Sequence, residues 1–126
     1  MSTQGFPKSE HLKSKKAIDE LFLKKHSVKG YPIRLMFHQN EEESHKVGFV
    51  VPKRLIRLAV SRNKIKRQLR EAYRLQKHHI EKLPPQNMMF VLIGKKPLSF
   101  QEIEACVLKC LTKLKVKADE KENHIK

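Results

Sequence analysis

Residues 46–74 read KVGFVVPKRLIRLAVSRNKIKRQLREAYR, and two different periodicities meet inside them. Lys46 to Val51 is an apolar, β-branched run closed by Pro52, which has no N–H to give a ladder, so it is a strand and its end. From Ser61 the period changes. Placed at about 100° per residue, Ile65, Leu69, Ala72 and Tyr73 fall on one arc that can bury against a sheet. Ser61 has the side chain of an N-cap, and Pro84-Pro85 forbids continuation, so a helix is expected from Ser61 to about Glu81. Arg57 to Val60, between the two, reads as a further short strand.

Upstream, Leu12, Ala17, Ile18, Leu21 and Phe22 recur at helical spacing, with Ser9 or Ser14 as cap and Gly30 beyond the end. Tyr31 to His38 alternates, with Ile33, Leu35 and Phe37 on one side and Arg34, Met36 and His38 on the other. The polar run Gln39 to Ser44 predicts an antiparallel hairpin between this strand and Lys46–Val51. Downstream, Met88 to Ile93 is apolar throughout and reads as a buried central strand. Ser99 can then cap a last helix whose inner face is Ile103, Val107, Leu111 and Leu114, with Cys106 and Cys110 beside it. The order α-β-β-(β)-α-β-α makes the fold class α+β, a single-domain sandwich of helices on a small mixed sheet.

One domain is what 126 residues allow. Its expected limits are 9–114, after a flexible N-terminus at 1–8 and before a charged, disordered tail at 115–126. Twenty-eight Lys and Arg face 13 Asp and Glu, a net charge of +15. Such self-repulsion on a small fold implies a polyanionic partner. A membrane partner is not expected, because the longest uncharged apolar stretch, Met88 to Gly94, is only strand-sized. Lysines interrupt any N-terminal signal-like run, so the expected location is cytoplasmic. Cys106 and Cys110, four apart in a helix, do not suit a disulfide, and without a zinc-type grouping they read as buried packing.

The cations of the long helix are gathered rather than scattered. Lys66, Lys77, Arg70, Asn63, Arg74 and Arg67 lie within roughly 100° of one another beside the apolar arc. A merely solvated helix would intersperse Glu with Lys, yet between Arg62 and Lys77 only Glu71 is acidic. Arg forks suit phosphates and stack on unpaired bases, which points to an RNA or DNA backbone. Against DNA, no helix-turn-helix pair or dimerising heptad precedes Ser61.

The same 46–74 segment resembles the signature of bacterial ribonuclease P proteins: a strand, the basic pair Lys53-Arg54, the Ala59-Val60 element, then Arg62, Asn63, Lys66, Arg67, Arg70 and Glu71 at fixed spacing. The resemblance extends over about residues 6–114. It departs at Leu55-Ile56-Arg57-Leu58, where the family commonly makes a tight Gly-Asn turn, and at Ile18 and Met36, where the family often has aromatics.

The resemblance implies a protein subunit that binds a catalytic RNA and the 5′ leader of precursor tRNA, with Mg²⁺ held mainly by the RNA and hydrolysis performed there. It implies no catalytic and no metal-ligating residue in this chain. Arg57, Arg62, Asn63, Lys66, Arg67, Arg70 and Arg74 would face the catalytic RNA. Ile18, Phe22, Arg34, Met36, Lys53 and Arg54 would line a leader groove between the first helix and the sheet. The alternative is a non-catalytic protein that binds structured RNA, such as a small ribosomal protein.

Overall fold

A computed structural model describes residues 10–24, 26–95 and 99–125, with side chains of the last helix as far as Ala118. The elements are α1 (Lys15–Lys24), β1 (Ser27–Gly30), β2 (Ile33–Gln39), β3 (Lys46–Val50), α2 (Ala59–Gln76) with a 3₁₀ extension (Lys77–Ile80), β4 (Gln86–Leu92) and α3 (Phe100–Ile125). The four strands form one mixed sheet in the order β1-β2-β4-β3, in which β3 runs parallel to β4 and the other pairs are antiparallel. The class and the α-β-β-β-α-β-α order agree with the sequence reading, but two assignments behind that order do not.

The third strand is not at Arg57–Val60: Val60 already lies in α2, and the additional strand is β1, ahead of β2. Strands β2 and β3 do not form a hairpin, because β4 lies between them, with Met36 opposite Met89 on one side and Gly48 opposite Met89 on the other. The composition of the strands explains the order. β4 is apolar on both faces, and an interior position covers both, whereas Lys29 on β1 and Lys46 on β3 suit edges.

One face of the sheet carries Ile33, Leu35, Val47, Met88, Phe90 and Leu92 into the main core, closed by Leu69, Ala72 and Tyr73 of α2 and Ile103, Val107, Leu111 and Leu114 of α3. Phe49 stacks on Phe90 at 5.7 Å, and Tyr73 meets Phe49 edge-on at 6.3 Å. The other face carries a smaller core of Leu21 from α1 with Met36 and Met89, flanked by Leu12 and Ile18.

Helix starts differ in how they are held. The Ala17 N–H donates to Ser14 Oγ at 3.2 Å, so Ser14 caps α1, while Ser9 lies outside the described residues. Ser99 and Glu102 exchange hydrogen bonds at 3.2 Å in a capping box on α3. Ser61 caps nothing: α2 starts two residues earlier, with Leu58 at the N-cap and no side-chain bond. Among the described side chains of α3 the last buried one is Leu114, but the helix runs on to Ile125 where a disordered tail was expected. The run after Leu114 is rich in Lys and Glu, which have high helix propensity and can propagate a turn nucleated by packing. The expected flexible 1–8 segment lies outside the described residues.

Candidate nucleic-acid interface

Along α2, the buried arc of Leu69, Ala72 and Tyr73 turns the basic flank out beside the β3 edge of the sheet. Asn63, Arg67 and Arg70 are exposed and Lys66 is half-buried. The Arg70 guanidinium lies 6.0 Å from the centre of the Phe49 ring, which orients it across the strand. No acidic residue occurs between Glu43 and Glu71, so this surface is built from a stretch of chain with cations alone.

Two residues of the expected set are engaged within the protein. Arg74 Nε donates to Glu71 Oε2 at 3.1 Å, and that bond holds the Glu71 carboxyl below its ordinary range. Arg62 folds back over the preceding corner, its Nη1 donating to the Ile56 carbonyl at 3.0 Å and the Arg57 carbonyl at 2.7 Å. Lys77, on the same flank, reaches the Glu10 carboxylate at 3.0 Å. Glu71 lies one turn from Arg74 on the same helix, whereas the partners of Arg62 and Lys77 come from an irregular corner and a distant segment that helical spacing cannot show.

The leader-groove set is divided by the packing of α1. Met36 is only 8% exposed, beneath Leu21 and beside Met89, so it is a floor residue and not an open surface. Ile18 is half-buried against the same cluster. Phe22, by contrast, is 46% exposed. Its neighbour Leu21, one helix position away, takes the inward place.

In the next cross-strand row from Met36, Lys29 pairs with Arg34, Arg34 with Val91, and Val91 with Val50. Lys29 and Arg34 are exposed, and Val91 and Val50 are half-buried. This is a partly apolar strip of sheet with cations at one end and the exposed Lys53 and Arg54 following β3 at the other. Lys29, Val50 and Val91 were missed in the sequence because their membership depends on register. Strand alternation puts Val50 on the same face as Gly48, but only register shows that Val91 and Arg34 lie beside it.

Histidine and thiol groups near these surfaces are occupied structurally. His45 Nδ1 accepts from the Gln86 N–H at 3.0 Å and Nε2 is 2.9 Å from the Ile80 carbonyl, so the ring is a neutral pin between β4 and the 3₁₀ turn. Burial pushes its pKa down, against the opposing effects of the Ile80 bond and Glu10. Burial also raises the Cys110 thiol to about 12, in keeping with an inert packed side chain.

A family model described as Ribonuclease P matches residues 6–115. The chain belongs to the ribonuclease P protein family. It is 30% identical over 122 residues to the ribonuclease P protein component of Porphyromonas gingivalis, covering 89% of this chain and 88% of that one. The Vibrio cholerae component is 31% identical over 96 residues, 76% of this chain and 77% of its own. Among solved structures, the Staphylococcus aureus RNase P protein superposes with a TM-score of 0.73 at 27% identity, covering 86% of this chain and 98% of that one. The Thermotoga maritima RNase P protein, at 22% identity and TM-score 0.71 over 82% and 96% of the two chains, shares the fold. The ribonuclease P protein signature proposed for Lys53 to Glu71 thus lies within the matched region. No helix among the described residues is long and apolar enough to cross a membrane.

Proposed function

We propose that this ribonuclease P protein is the subunit that holds the catalytic RNA on the α2 flank and the 5′ leader of precursor tRNA on the opposite face of the sheet, promoting leader removal in the cytoplasm. The observation that carries the reading is the acid-free stretch from Ser44 to Arg70, which exposes Lys53, Arg54, Arg57, Asn63, Arg67 and Arg70. A cationic track flanking half-buried valines and Phe22 suits single-stranded RNA held without sequence reading. Met36 and Ile18 serve that groove from below by fixing α1.

In this reading the phosphodiester chemistry belongs to the RNA. Glu41, Glu42 and Glu43 are exposed in a turn, and both nitrogens of His45 are used within the fold. Mg²⁺ is proposed to be held mainly by the RNA; among the described residues no group of three or more His, Cys, Asp or Glu is placed to hold a metal ion. The protein's own work is electrostatic: it neutralises phosphates and holds two RNAs in one arrangement.

The test compares leader removal by protein, RNA and both across a Mg²⁺ titration. The protein alone is expected to be inactive and to lower the Mg²⁺ requirement of the RNA. Cleavage by rigorously RNA-free protein, or no effect on that requirement, would overturn the assignment.

A further inference from the structure

The corner between β3 and α2 carries a feature that phosphate neutralisation does not explain. Leu58 is 71% exposed and Val60 81% exposed, although Leu55 and Ile56 beside them pack on the main core. The corner is pinned. The Leu55 and Ile56 N–H groups both donate to the Pro52 carbonyl at 3.1 Å, Arg62 grips the Ile56 and Arg57 carbonyls, and the Arg62 N–H closes the first turn on Leu58 O at 3.0 Å. Two branched aliphatic side chains are therefore held in water at a fixed place.

Arg57 and Lys64, both exposed, flank them in the chain. Flanking cations on a chain of net charge +15 disfavour a second copy and favour a polyanion. An exposed apolar pair with cations beside it matches a nucleotide, whose base or ribose can lie on the aliphatic groups while its phosphates meet the cations.

We infer that Leu58 and Val60 form an apolar contact for an unpaired nucleotide of the catalytic RNA, and that Arg62 is a positioning residue holding this corner rather than a phosphate ligand. The inference rests on the reading of α2 as the catalytic-RNA interface. It also accounts for the missing Gly-Asn turn: in its place this chain has a corner whose Ile56 and Arg57 carbonyls are gathered by Arg62.

The experiment titrates full-length protein against the catalytic RNA over a salt series. The double variant Leu58→Ser/Val60→Ser should weaken binding by roughly tenfold with an unchanged log-log salt slope, since no cation is removed. Arg62→Gln should cause a similar loss at unchanged slope, and combining it with the double variant should add little further. Val60→Thr, which keeps the shape of the side chain, serves as second variant if the double serine variant does not fold.

Wild-type affinity in folded variants overturns the inference. So does a loss confined to precursor-tRNA binding, or an altered self-association with RNA affinity intact. A reduced slope in Arg62→Gln overturns the positioning role. Arg67→Ala separates the two levels: if it lowers the slope while the Leu58 and Val60 variants are silent, only this inference fails. If it too changes nothing, the α2 interface itself fails.

Discussion

Met36 and Phe22 show how far one side chain's role depends on its neighbour across the layer. Met36 is at an outward strand position, but α1 crosses that face and Leu21 covers it, so Met36→Ala should cost about 2–5 kcal/mol of stability. Denaturant unfolding of the isolated protein checks this. Phe22→Ala should leave the unfolding midpoint nearly unchanged and weaken precursor tRNA relative to mature tRNA by about 1–3 kcal/mol, the size of a lost base stack. Equal weakening of both tRNAs would remove Phe22 from the groove. His45 offers a second test. Its folded pKa lies below the ordinary 6.5, so as pH falls the unfolded chain takes up the proton first. The contribution is full above that value and is lost as pH drops below it toward the folded pKa. Urea midpoints should therefore decline below about pH 6.5, and the decline should be shallower in His45→Gln. At this scale the α2 cations were legible because helix period and residue type suffice to place them. The occupation of Arg62 and Lys77 was not, since one partner choice depends on backbone carbonyls and the other on a remote carboxylate.

Among the elements, α3 is held at its start by the Ser99–Glu102 box and along its length by close approach to β1. A Cβ on Gly30 would come within 2.9 Å of the Cys106 carbonyl oxygen, so only glycine permits this spacing. Ser99→Ala should cost about 0.5–2 kcal/mol. Gly30→Ala must push helix from strand and should cost about 1–3 kcal/mol. Thermal unfolding of both variants measures the two effects. β4 was readable as a central strand from its continuous apolar run, and Ser99 as a cap from local chemistry. β1 was not, because SVKG is four residues long and offers too little alternation to separate it from a turn. The Arg57–Val60 segment misled for the opposite reason: Leu58 and Val60 alternate like a strand, but both point to water at a helix start.

Across the whole molecule, the sheet separates the two proposed RNA surfaces: α2 and α3 occupy one face, and α1 with the Arg34–Val91–Val50 row occupies the other. Catalytic-RNA affinity should fall linearly with salt on a log-log scale, and Arg67→Ala and Arg70→Ala should each reduce the slope by about 0.7–0.9. Filter binding over a salt series gives the slopes. Charge, size and class were evident from composition and period, whereas strand order was not, because periodicity tells which face a residue takes and not which strand it pairs with. The placement of β4 has a consequence for how the chain is made. As synthesis proceeds, β2 and β3 emerge early without each other as partners, and the strand that joins them follows only after all of α2. Until Gln86–Leu92 leaves the ribosome, the nascent chain is a cationic polymer with two unsatisfied strand edges. Its folding is governed by long-range closure, so it should acquire protection from hydrogen exchange in one late step rather than hairpin by hairpin.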